Sequence, residues 1–256
     1  MLTETLRGNF PRLGILLGIG ALFGVLEWRW PARPHKLRGS GQLKWDLAVI
    51  GIDRFAWVFL LQLWSQLVKR SIPDHPLFAQ VNPWVGGAAA ILGIDFLRYW
   101  SHRLIHLRAL WRTHRWHHMP AMLYWLSGHR ATFLHQFFIG AVPLLLVTQL
   151  GLFDYALSDT LLDVVAVWMG LIQTHFEHAN LKVGGRAMEL LLVTPRFHRI
   201  HHARSPELYE SNYGFGLTIW DRLFGTFKDP GKVGDAFEVG EESPTFGEQM
   251  RALMGV

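Results

Sequence analysis

Residues 194–202, TPRFHRIHH, and residues 114–118, HRWHH, each carry the pattern HxxHH. With SHRLIH at 101–106 and THFEHAN at 174–180 they gather ten of the chain's fourteen histidines. Spacings of three and four residues return to one side of a helix after about one turn, so each cluster presents several imidazole nitrogens in one direction. A lone histidine is ordinarily a packed or hydrogen-bonded core residue. Two copies of HxxHH resist that explanation, because protonated rings crowded on one helix face repel unless a metal cation replaces their protons. The clusters predict metal binding.

Imidazole suits zinc, copper, nickel and iron, so ligand type alone leaves the metal open. Ligand number says more. One tetrahedral zinc needs four donors, and ten histidines imply two ions that share a site and retain open positions. The zinc-protease signature HExxH is absent. There is no cysteine, which excludes disulfides, thiolate zinc sites and iron–sulfur clusters carried by this chain.

Half of the 256 residues are apolar, with 17 Phe and 12 Trp. The net charge of +5 would suit nucleic acid, yet the basic residues form no stripe with exposed aromatics and no binding motif accompanies them. Their placement fits a membrane. Apolar stretches at 12–27, 47–68, 84–100, 133–150 and 156–173 approach the roughly 20 residues that span a bilayer. Loops 28–45 and 101–132 hold five basic side chains each, whereas 69–83 holds two, so the first two are expected on the cytoplasmic side. Every histidine cluster then falls on that side. The expected fold is an all-α integral membrane helical bundle of four to five spans, with a cytoplasmic histidine-rich cap built from residues 101–130 and 175–227. Expected domains are anchor helices at 1–80, the metal domain at 81–230 and a polar tail at 231–256.

The ordered set SHRLIH, HRWHH, THFEHANL and TPRFHRIHH, followed by SNYG (211–214) and IWDRLFGTF (219–227), resembles the fatty acid hydroxylase and sterol desaturase superfamily of integral membrane di-iron oxygenases. The likeness runs from about Asp95 to Phe227. It implies two irons activating dioxygen, with two electrons from a separate donor, to hydroxylate or desaturate a lipid carbon. Carried over by motif position, His102, His106, His114, His117, His118, His178, His198, His201 and His202 are ligands. His175 joins them with a spacing to His178 of three where some relatives use four. HRATFLHQ (129–136) departs from the family's RxHP-like element, which leaves the roles of His129 and His135 open.

Ligating histidines commonly donate their second ring nitrogen to a carboxylate or carbonyl, and Asp95, Glu177 and Asn180 stand near ligand positions with that chemistry. Helix capping or solvation is their alternative role. Asp221 is expected to fix a turn or pair with a nearby arginine rather than touch metal. The chain has no haem-binding HPGG and no GxGxxG fingerprint, so electrons are expected from a ferredoxin or cytochrome b5 type carrier docking on Arg103, Arg108, Arg112, Arg115, Arg196, Arg199 and Arg204. Zinc is an expected substitute for iron, and the location a bacterial inner membrane or an ER-like one. Alternatives are a carotenoid or sterol-type substrate, or a non-enzymatic metal-binding or transport protein of the membrane.

Overall fold

A computed structural model describes residues 2–34, 41–52, 63, 66, 81–150, 168, 172–241 and 244–256. Among them the chain is helical, with isolated bridges at Pro31–Leu181, Leu192–Leu217 and Ala203–Val239 and no strand. The all-α expectation holds for these residues.

Helix α1 covers Leu2–Arg29, α2 Gln42–Ile52 and α3 Pro83–Ile105. Short elements follow: α4 (Arg115–His118), α5 (Phe133–Gln136), a π turn (Phe137–Ala141) and α6 (Val142–Gln149). Then come α7 (Gln173–His178), α8 (Pro195–His201), α9 (Pro206–Tyr209), α10 (Ile219–Leu223), α11 (Pro230–Val233) and α12 (Phe246–Met254).

Among the described residues no helix is long and apolar enough to cross a membrane. Helix α3 has 23 residues, roughly 35 Å at 1.5 Å per residue, but Asp95, Arg98 and Arg103 lie within it. Most of the expected spans at 47–68 and 156–173 lies outside the described residues. The stretch 133–150 is interrupted by the π turn, which adds a residue to one turn and shifts the faces of α5 and α6 relative to each other.

Local chemistry sets the starts of the helices that matter. Asn82 caps α3 by accepting from Trp84 N at 3.0 Å, and Pro83 occupies the first helical position, where a missing N–H costs nothing. Gly86, Gly87 and Ala90 leave α3 a smooth buried stripe, and Ala90 packs on Val147 of α6. Thr194 caps α8 by accepting from Phe197 N at 3.2 Å, again with proline at the first position. Helix α12 opens with a reciprocal Thr245–Glu248 capping box and closes on Gly255 at φ 72°.

The cap around the histidines has two supports. One is apolar: Val49 of α2, Trp116 of α4, Met119 and Ala252 of α12 form a buried cluster, with Trp45 and Leu253 against it. The other is polar and buried. Asp46 accepts from the Arg130 guanidinium and, at 2.6 Å, from the Tyr124 hydroxyl, while Arg130 also donates to Gln42 O at 3.1 Å and Gln249 Oε1 at 3.3 Å. Residues beyond 230 are folded onto this body. Glu241 makes a two-pronged pair with Arg115 at 2.7 and 2.9 Å, and Gln249 accepts from Trp116 Nε1 at 3.1 Å.

Asn212 has φ 56°, a left-handed conformation that asparagine tolerates better than most residues. Its amide donates to Phe197 O and Lys228 O and its oxygen accepts from Lys228 N, which secures the turn. Asp221 accepts from Tyr213 N, Gly214 N and the Thr226 hydroxyl at 2.6–2.8 Å, the turn-fixing role expected of it.

Candidate metal centre

Nine of the ten candidate histidines converge in two buried groups. His102, His106, His114, His118 and His201 form one, His117, His178, His198 and His202 the other, with donor atoms in each group within 4.8 Å of one another. The groups adjoin, since the rings of His118 and His202 stack with centroids 4.4 Å apart. No element serves one group alone among α4 and α8. Helix α4 sends His118 to the first and His117 to the second, and α8 sends His201 to the first and His198 and His202 to the second. The end of α3 supplies His102 and His106, and α7 supplies His178.

Backbone carbonyls fix the ring tautomers. Nδ1 of His102 faces Tyr213 O at 2.9 Å, His117 faces Arg130 O at 2.9 Å, His178 faces Thr174 O at 2.8 Å and His201 faces Ser211 O at 2.9 Å. A carbonyl only accepts, so these Nδ1 atoms carry the proton and the Nε2 atoms are bare lone pairs. Yet Nε2 of His178 lies 3.1 Å from Nε2 of His117, both of them acceptors. Nε2 of His102 stands 3.0 Å from that of His114, and Nε2 of His198 lies 3.1 Å from both His178 and His202. Facing lone pairs at that distance repel unless a proton or a metal cation lies between them.

Protons are disfavoured here. Burial first, and the neighbouring imidazoles second, hold His114, His118, His198, His201 and His202 well below the usual imidazole pKa, and burial brings His178 down to about 4. Both ring nitrogens of His106 and Nε2 of His201 are buried without a hydrogen-bond partner. Neutral, convergent, otherwise unsatisfied imidazoles fit metal binding.

His175 lies outside both groups. Its Nε2 is 3.0 Å from Nε2 of His129, and its ring stacks on Trp125 and Phe23. His135, whose role the motif left open, places Nδ1 2.8 Å from Nδ1 of His114. Among the three residues suggested as supports, Glu177 is the one beside a ligand: Oε1 is 3.5 Å from His178 Nδ1, and burial pushes its carboxyl well above the usual range. Asp95 instead accepts from Gly216 N, Leu217 N and Trp220 Nε1 at 2.8–3.1 Å, tying α3 to the segment after Tyr213. Asn180 exchanges hydrogen bonds with the backbone of Arg33 at 3.0 and 2.8 Å, tying the residues after α1 to the end of α7.

Gly128 escapes a reading for chemistry, yet a methyl there would fall 2.4 Å from Nδ1 of His178. The carbonyls of Tyr213, Ser211, Arg130 and Thr174 carry no side-chain signature at all. SNYG gave the only signal for two of them, as a turn.

Residues 87–226 match the family model "Fatty acid hydroxylase", more than half of the chain. The chain belongs to that family. It is 26% identical to an alkylglycerol monooxygenase of Xenopus tropicalis over 79% of this chain and 44% of the relative. An ornithine lipid hydroxylase of Rhizobium tropici is 33% identical over 58% of this chain and 44% of that protein. A very-long-chain aldehyde decarbonylase of Oryza sativa is 24% identical over 85% and 35%. The chain thus spans less than half the length of each of these relatives. No solved structure matches it.

Proposed function

We propose that this fatty acid hydroxylase family member is a membrane-bound oxygenase that hydroxylates or desaturates a C–H bond of a lipid, using two irons held by the two histidine groups. The observation that carries the reading is the Nε2 atoms of His117 and His178, facing each other at 3.1 Å with both Nδ1 protons committed to carbonyls, beside further Nε2–Nε2 contacts of 3.0 Å between His102 and His114 and 3.1 Å between His178 and His198. His102, His106, His114, His118 and His201 would hold one ion and His117, His178, His198 and His202 the other. His175, with His129, lies beside the second group and is tested as a ligand below. When bound, iron supplies the oxidation of an unactivated carbon by dioxygen, a reaction outside the reach of amino-acid side chains.

The protein's own contribution is position, dryness and proton placement. Each carbonyl that accepts from Nδ1 orients a ring and makes its Nε2 a better donor. Trp111 stacks on Tyr209 with centroids 5.4 Å apart, and both rings lie against His106 and His118, screening the first group from water. An all-imidazole donor set adds no negative charge, so the ions keep their full electrophilic character.

The substrates after which two relatives are named, an alkylglycerol and an ornithine lipid, support a polar lipid as substrate. We place the four to five spans in the membrane and the cap on its cytoplasmic side, on the charge asymmetry of the loops. Electrons come from a ferredoxin or cytochrome b5 type carrier with its reductase. The test is elemental analysis of active protein together with oxygen consumption in the presence of lipid extract and carrier. Two irons per chain and carrier-dependent oxidation of lipid are expected, with zinc as a substitute in overexpressed material. One ion or none per active chain would overturn the reading.

A further inference from the structure

A cavity of about 360 Å³, within the roughly 300–1,000 Å³ of small-molecule sites, opens beside α8. It is walled by the residues after α1, by 121–123 and by 235–239. Arg199, the residue after His198, lines it with a side chain only 4% exposed. Its Nη2 is buried with no hydrogen-bond partner, and its Nη1 stands 3.8 Å from Asp235 Oδ1, a contact too long for a hydrogen bond and with a carboxylate 66% exposed. Water screens that pair, so it offsets little of the cost of burying a guanidinium.

Arg33 joins Arg199 in the same cavity. Its position is set by Asn180 on its backbone, by donation from Nη2 to Asp235 O at 2.7 Å and by the Phe237 ring under its guanidinium at 5.0 Å. Glu238 also lines the cavity, at its exposed rim. The buried end is therefore cationic, the carboxylates face water, and Met122 and Leu123 add apolar wall. Planar guanidinium groups favour the paired oxygens of phosphate and carboxylate.

We infer that this cavity binds the oxyanion, phosphate or carboxylate, of a polar lipid head, with Arg199 and Arg33 as its donors. The assignment to a lipid rests on the lipid-oxygenase reading; the binding itself does not require turnover. A head held at Arg199 is anchored to the helix that also carries His198, His201 and His202, which sets the reach from head to oxidised carbon.

The test uses full-length, metal-loaded protein in a neutral detergent, titrated with dihexanoyl phosphatidic acid, dihexanoylglycerol and inorganic phosphate. Saturable binding of the phosphatidic acid is expected, at least tenfold weaker in Arg199→Met and severalfold weaker in Arg33→Gln, with metal content unchanged and the neutral lipid indifferent to both changes. If Arg199→Met loses its metal, Arg33→Gln decides. Equal affinity for the anionic and neutral lipids, or equal affinity in wild type and variants, overturns the proposal. Phosphate binding as tightly as the phosphatidic acid overturns the lipid assignment and makes the cavity a free-oxyanion site. Protein that binds the anionic lipid through Arg199 yet, with carrier, reductase and oxygen supplied, oxidises no lipid refutes the oxygenase reading and leaves the cavity standing.

Discussion

At the scale of single residues, the centre is a matter of which ring nitrogen holds a proton. His178 and His175 stand three residues apart on α7, yet only His178 reaches a donor group. His178→Ala is expected to lose one of the two ions, and His175→Ala to keep both; atomic absorption on purified variants decides, and loss in His175→Ala would make that residue a ligand. Gly128→Ala is expected to mimic the loss at His178, because the added methyl overlaps its ring, whereas Gly140→Ala, with only Gln136 Oε1 at 3.9 Å, is expected to be neutral. The metal-free protein has a further signature. An imidazole whose pKa is depressed by folding takes up its proton on unfolding, so stability is present above the unfolded value of about 6.5 and is lost as pH falls below it. For His178 the loss continues at up to about 1.4 kcal/mol per pH unit until its folded pKa of about 4. Denaturation midpoints of the metal-free chain between pH 7 and 4 check this, and a midpoint that does not fall would contradict it. Nine of the ten histidine positions were legible because imidazole is a distinctive side chain with helical spacing. The carbonyls that set their tautomers were not, since every residue has one and only the folded path selects Ser211, Tyr213, Arg130 and Thr174.

At the scale of elements, α8 serves both histidine groups, as the four-residue α4 does. Its seven residues start at a Thr194 cap and a proline and deliver ligands to both groups. The division of neighbouring histidines between the two groups was not readable in the sequence, because it depends on where α3, α4 and α7 arrive. The same holds for the Asp46–Arg130 pair, whose members lie 84 residues apart. The Arg130 carbonyl holds His117, so the buried pair sets a ligand at one remove. Asp46→Asn leaves the guanidinium short of its counter-charge and is expected to cost about 3–5 kcal/mol. It should also weaken metal retention in the second group more than in the first. Thermal unfolding and a chelator competition on the variant measure the two effects, and undiminished stability would remove the pair from this role.

At the scale of the whole molecule, the apolar stretches and loop charges argue for membrane crossings, while the described helices alone do not supply one. Two of the five expected spans, 47–68 and 156–173, fall mostly on residues beyond the described ones, so hydropathy rather than geometry carries that part of the reading. The face proposed for carrier docking is narrower than its seven arginines suggested. Arg115 and Arg196 are paired with Glu241 and Glu189, Arg204 donates to Gly240 O and Arg199 is buried, whereas Arg108 and Arg112 are exposed between α3 and α4. Reversing both to glutamate is expected to slow carrier-dependent turnover severalfold at low salt, with the gap to wild type closing as ionic strength rises. Equal rates at low salt would place docking elsewhere.

Each histidine group joins stretches of chain roughly a hundred residues apart, His102 to His201 in one case, and closing a loop of that length is entropically costly without a fastener. Ions bound at both groups would therefore act as removable crosslinks. During synthesis no such link can close until residues 198–202 have emerged, so the earlier histidines wait as loose, metal-hungry ligands. Insertion of the metal is in this sense a checkpoint on completion of the chain, and a cell starved of iron should accumulate the protein in a protease-sensitive form before it loses any enzyme already assembled.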